Sequence, residues 1–204
     1  MKHANALGLS ALLTLAAAYT TLAHANSLTE HLVQCDSTFF NDIQQGTTPL
    51  SDKARQNATA IIAAWAENNA STRHANYIKL SRPVRDGSLL LNALSFSSDQ
   101  LPEDETYYFW GFVTPSTPDD IIKATPHIAW IKAGSMYMYR PQIKRAGENE
   151  WAANNAAVDG VAVAKGKVEK IALLEPKGNS TTIACTLQGS VRPTDTRAIF
   201  SYRQ

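Results

Sequence analysis

Carboxylates are the side chains best spaced for chemistry in this chain. Glu103, Asp104 and Glu105 stand together before an aromatic run, and Asp119 and Asp120 follow it. Two carboxylates beside aromatic platforms are the equipment of glycoside hydrolysis, one giving a proton and the other acting as base or nucleophile. Each also has a plainer role. "SDQLPEDE" reads as a polar connection between strands, and Asp119 and Asp120 suit the positive end of a helix dipole.

Beyond Ala25 the histidines are His31, His74 and His127, none at metal-ligand spacing from another His or a Cys. HExxH, paired CxxC, G-x-S-x-G and phosphate-binding glycine loops are all missing from the sequence, so zinc, nucleophile-elbow and nucleotide chemistry have no motif to stand on. The sequence therefore names no catalytic, cofactor-binding or metal-ligating residue, and no cofactor.

"TYYFWGFVTP", Thr106 to Pro115, concentrates Tyr107, Tyr108, Phe109, Trp110 and Phe112 in one stretch. Alternate residues of a strand point to opposite faces. Tyr107, Phe109, Gly111 and Val113 share one face, and Tyr108, Trp110 and Phe112 share the other. Both faces are apolar, so the strand is covered on both sides, or a long loop folds over one, or one face binds a partner. Tyr and Trp are enriched at binding hot spots and carry polar handles. Tyr108 and Trp110 are thus the candidate partner-binding residues, with Trp151 from the long stretch Ala146–Gly160.

The elements that must hold these residues start after an export signal. Lys2, the apolar run Ala6–Ala18 and the small-x-small end Ala23-His24-Ala25 have the three parts of a signal peptide covering 1–25. Residues 26–204 then form a single domain of a size that buries a real core. Without Lys2 the 19 Lys and Arg residues fall to 18, equal to the 18 Asp and Glu, and the basic residues are scattered, which argues against nucleic acid. No later stretch is long and apolar enough to span a bilayer. The expected location is periplasmic or secreted. There Cys35 and Cys185, the two cysteines of the chain, are expected to form a disulfide.

Ser27 and Glu30 fit a capping box, and Leu28, Leu32, Cys35, Phe39 and Ile43 continue one helical face to Gly46. A second helix is expected from Ser51 to about Asn68, with Ala58, Ile61, Ile62 and Trp65 sharing its apolar face. The period then changes to two over "ANYIKLS", "SLLLNALSFS" and "TYYFWGFV". "TPDD" starts a short helix. "HIAWI" with "SMYMYR", and "VEKIALLE" with "TTIACTLQGSV", read as hairpins. In the last strand Ile183, Cys185 and Leu187 take the buried face, and Thr182, Thr186 and Gln188 the wet one. Arg140, Lys144 and Arg145 read as a solvated strand end, and "AIFSY" as a final strand.

The order predicts an α+β fold: two N-terminal helices packed on a mostly antiparallel sheet, with one short helix in mid-chain. The function that fits is non-enzymatic: an envelope protein that binds another envelope or secreted protein, an inhibitor or toxin-immunity protein being an example. The alternatives are a carboxylate hydrolase of cell-envelope polymers and a carrier of a small apolar ligand between sheet and helices.

Overall fold

The period-two stretches form the sheet. In the computed structural model, which describes residues 27–70, 76–102, 105–158 and 160–201, β1 (Asn76–Asp86), β2 (Leu89–Leu101) and β3 (Glu105–Thr114) make a meander. Further along come β4 (Ile131–Ala133), β5 (Met136–Arg145), β6 (Ala152–Ala153), β7 (Lys167–Lys177) and β8 (Ser180–Gly189). The order across the sheet is β1-β2-β3-β8-β7-β5-β4, with β6 also on β5. Every pairing is antiparallel. The expected leader, with His74, Glu103 and Asp104, lies outside the described residues.

Helices α1 (Leu28–Leu32), α2 (Thr38–Gln45), α3 (Asp52–Ala66), α4 (Pro118–Ala124) and α5 (Pro193–Phe200) share one core with a single sheet face, here the inner face. The fold is thus α+β, as the pattern predicts. Among the described residues no helix is long and apolar enough to cross a membrane.

The first expected helix is divided in two. The capping box of α1 is present: Ser27 Oγ accepts from the Glu30 amide at 3.0 Å, and Glu30 Oε2 accepts from the Ser27 amide at 3.2 Å. After Leu32, however, Cys35 takes a left-handed φ of 51°, and the Asp36 carboxylate accepts from the Thr38 amide at 2.9 Å. A short polar side chain that bonds its own backbone competes with helix continuation. The periodicity survives the break because Leu32, Phe39 and Ile43 are buried in the same core. At the turn, Cys35 is bonded to Cys185 of β8, the expected disulfide.

Helix α3 runs as its pattern predicts, with Ser51 as N-cap. It is closed by Asn68 at φ 58°, a residue suited to the left-handed end position. Asn68 Oδ1 then accepts a hydrogen bond from the Tyr108 hydroxyl at 3.0 Å. The short helix α4 has Thr117 as cap and Pro118 at its start, also as expected.

The "AIFSY" strand is a correction. Ala198, Ile199 and Phe200 belong to helix α5, begun by Pro193 and by an Arg192 amide donating to Asp195 Oδ2 at 2.9 Å. Proline at the first helical position and an acid in the first turn outweigh a short apolar run without a strand partner. Phe200 joins the ring cluster of the core, 5.2 to 5.4 Å from Phe40, Tyr108 and Trp110. That cluster packs between the sheet and helices α2 and α5.

Lys144 is a second correction. It is not a solvated strand end: its ammonium is buried and pairs with the buried Asp195 carboxylate at 2.5 Å, while also donating to the Glu148 carbonyl at 2.7 Å. The register of β5 against β7 shifts between Tyr139 and Gln142, where Arg140 has φ 47°. Such a bulge re-aims the residues that follow it. It leaves Lys144 opposite the buried Val168 on the inner face.

A candidate binding face on the outer side of the sheet

Register settles which half of the aromatic run faces where. Tyr108, Trp110 and Phe112 lie opposite Leu187, Cys185 and Ile183 on the inner face. Tyr108 is 0% exposed and Trp110 1%, with the Trp110 ring 5.4 Å from that of Phe40. Their assignment to a partner-binding surface is therefore corrected: helices α2, α3 and α5 cover the face they occupy. Burial also raises the Tyr108 phenol well above its ordinary pKa. The accessible half of the run is Tyr107 and Phe109, which the same alternation had placed together.

The outer face is apolar along most of its width. One cross-strand row runs Tyr77, Ser95, Gly111, Ala184, Leu173, Met138, Ile131. With strands about 4.8 Å apart, such a row is about 29 Å long. Its ends are large and exposed, and its middle is floored by Ser95, Gly111 and Ala184. Glycine is required at 111, because a Cβ there would lie 2.0 Å from the Ile183 carbonyl oxygen. The expectation of a wet face on β8 is corrected too: Thr186 and Ala184 are buried, since they sit mid-sheet beside Phe109 and Gly111 on one side and Ile171 and Leu173 on the other.

The long stretch after β5 crosses this face. Its beginning is pinned through Trp151, half-buried, whose ring lies 4.8 Å from the Lys144 ammonium and 4.9 Å from that of Lys170. Trp151, grouped with Tyr108 and Trp110 as a partner-binding candidate, packs against the inner core and anchors the loop there. Asn154 donates to Glu169 Oε1 through its side chain and to the Pro141 carbonyl through its backbone at 2.8 Å. Further on, Ala157 packs on a second small core of Met138, Ile171 and Leu173, joined by Phe109 and Met136. Val158 and Val161 remain 60% and 62% exposed.

Between this segment and the sheet lies a groove of about 340 Å³ floored by Phe109, Met136, Met138, Ile171 and Leu173. Tyr107, Gln188 and Glu175 give it a polar edge. It shares Phe109 and Glu175 with a trough beside Tyr77. On its other side it shares Met138 and Val158 with a hollow of about 590 Å³ beside Ile131.

The electrostatics differ on the two faces. The Tyr107 phenol is raised, first by burial and then by the Glu105 and Glu169 carboxylates. On the inner face Lys170 is lowered, chiefly by burial, with Arg140 and Lys144 adding and Asp36 opposing.

Of the carboxylates weighed for hydrolysis, the described ones, Glu105 and the pair Asp119 and Asp120, are not brought together. Glu105 opens β3, whereas Asp119 and Asp120 follow its end in α4. A ten-residue strand spans about 30 Å, against the less than about 10 Å that a catalytic pair requires. Asp120 instead accepts from the Thr117 hydroxyl at 2.7 Å, which lowers its pKa. The described histidines, His31 and His127, are engaged as well. His31 Nδ1 meets Asp42 Oδ2 at 2.6 Å, and His127 Nε2 meets Glu30 Oε1 at 2.9 Å. His127 lies in the turn before β4, not at the start of a strand. Among the described residues no group of three or more His, Cys, Asp or Glu side chains could hold a metal.

The geometry describes a disulfide-tied α+β protein with one sheet face packed by helices and the other left as an apolar groove. No protein-family model matches the chain, and no curated protein or solved structure matches it.

Proposed function

We propose that this chain is an exported binding protein that holds another protein on the outer face of its sheet, with no chemistry of its own. The observation that carries this reading is the apolar groove on that face, rimmed by exposed Leu101, Val158 and Val161, with exposed Tyr77 and Ile131 in the hollows to either side. Exposed apolar surface of this extent is costly in water and marks an interaction site. The leader-like residues 1–25 and the Cys35–Cys185 bridge support export to an oxidising compartment. An inhibitor or toxin-immunity role is one form the binding takes.

The test is affinity capture from an envelope extract of cells that make the protein, with wild type and Phe109→Asp run in parallel. Phe109→Asp should retain the native melt and lose the captured protein. Equal capture by both would remove the outer face from the function. The same preparation tests export, since N-terminal sequencing of envelope material should begin at Asn26.

A small apolar ligand in this groove is the second reading, favoured by its volume of about 340 Å³, which falls within the usual range for ligand pockets. A ligand retained in native mass spectra of the wild type and lost from Phe109→Asp would favour it.

A further inference from the structure

We propose that the groove selects a partner segment in which a large apolar side chain stands next to a lysine or arginine. The inference rests on the protein-binding reading and names what that partner must present. The apolar half of the requirement comes from the floor, where Met138, Ile171 and Leu173 are buried and Phe109 and Met136 pack against them. The basic half comes from the edge. Glu169 is 4% exposed, and among the described residues its oxygens accept from neutral amides: Asn154 Nδ2 on one, and Gln188 Nε2 at 2.7 Å on the other.

Buried carboxylates are ordinarily matched by a cation, because two amide donors replace hydration but leave the charge uncompensated. Among the described residues no cation pairs with Glu169 or with Glu105. Both carboxylates act on the Tyr107 phenol. Tyr107 and Gln188 line the groove, and so does Glu175 at its opposite side. Asp99 faces Tyr107 across the strand pair.

The cations of this face stand at its ends. Lys167 is paired in register with Arg145 two positions beyond Glu169, and Lys177 lies two positions beyond Glu175. Between them lie Tyr107 and Phe109, with Glu105, Glu169 and Asp99 around Tyr107. An ammonium or guanidinium there gains the carboxylate field and the ring quadrupoles together. Its apolar neighbour fills the floor.

The probe is a pair of blocked peptides sharing one Leu-Phe-Leu centre, flanked by lysines in the first and by glutamates in the second. Both are titrated by calorimetry against the intact protein at low ionic strength. The lysine peptide should bind about tenfold tighter or more, and added salt should erode that preference. Glu105→Gln, at a strand start, and Glu169→Gln, which keeps an acceptor for its amide partners, should each shrink the preference, and together bring it near about twofold. Phe109→Asp should abolish binding of both peptides. Equal affinity for the two peptides overturns the basic requirement while leaving the docking face in place. Binding of neither overturns the docking face as well. A lysine preference unchanged by Phe109→Asp places the binding elsewhere and also overturns the proposal.

Discussion

Trp110 and Phe109 are neighbours in sequence with opposite surroundings, and single substitutions read that difference directly. The Trp110 indole is packed against Phe40 and Phe200, each 5.4 Å away between ring centres. Trp110→Ala removes that burial and leaves a cavity, costing about 3–5 kcal/mol. That is a large share of ordinary domain stability, so the variant should lose much of its cooperative urea or thermal transition. Phe109 lies half-exposed on the outer face, and Phe109→Ala should cost no more than about 1.5 kcal/mol. Equal losses for the pair would contradict the face assignment.

Tyr108 adds a pH signature. Burial raises its phenol above the ordinary 10.0. The folded state therefore keeps the proton longer than the unfolded state does. Stability from this term is complete below pH 10 and falls as pH rises beyond it. Tyr107, raised in the same direction, adds to the fall. Lys170 works oppositely: its lowered pKa means that the unfolded state binds the proton more readily, so its term improves as pH rises towards 10.5. Denaturant midpoints followed above pH 10 should drop for wild type and drop less for Tyr108→Phe. The Phe variant should lose about 1 kcal/mol at neutral pH through its missing bond to Asn68.

At the scale of elements, two features hold helices to sheet and strand to strand. The Cys35–Cys185 bond closes a separation of 150 residues, joining the α1–α2 turn to β8. Chain-entropy arguments give about 4–5 kcal/mol for so long a loop, as an upper figure. Mass analysis without reductant should find the chain lighter by the two thiol hydrogens. Cys35→Ala with Cys185→Ala should lower the denaturant midpoint without changing the groove. Free thiols at both positions would refute the bond. The second feature is the close approach of β3 and β8 at Gly111. Gly111→Ala forces a methyl against the Ile183 carbonyl and should cost about 1–3 kcal/mol through overpacking. It acts on the outer face through backbone position, so binding should weaken along with stability.

On the scale of the molecule, the formal charges of residues 26–204 sum to zero while one sheet face is apolar. A folded protein of this kind should take up a neutral apolar dye such as Nile red in its native state, without prior unfolding. Phe109→Asp should reduce that fluorescence while the near-UV spectrum of the buried tryptophans is kept. A dye signal that appears only on denaturation would mean that the segment around Val158 and Val161 seals the groove.

Local signals were legible wherever the reason for a structure lies within a few residues. The caps at Ser27, Ser51 and Thr117, the buried stripe Ala58, Ile62 and Trp65, and the two hairpins all follow from bonds and periodicities a turn or a strand long. The pairing of Cys35 with Cys185 was legible for another reason, that the chain holds just two cysteines. By itself the sequence determined the α+β class, the elements and the division of the aromatic run into Tyr107 with Phe109 and Tyr108 with Trp110. It did not determine which half meets water, because alternation is symmetric between the faces of a strand. That choice came from where the chain returns: α5, read as a strand from its apolar residues, puts Phe200 against Tyr108 and Trp110. The bulge at Arg140 turns Lys144 inward to Asp195, and the loop after Trp151 crosses only part of the opposite face. Each of these depends on residues tens of positions apart, through cross-strand register and helix docking, and only the tertiary structure brings them together.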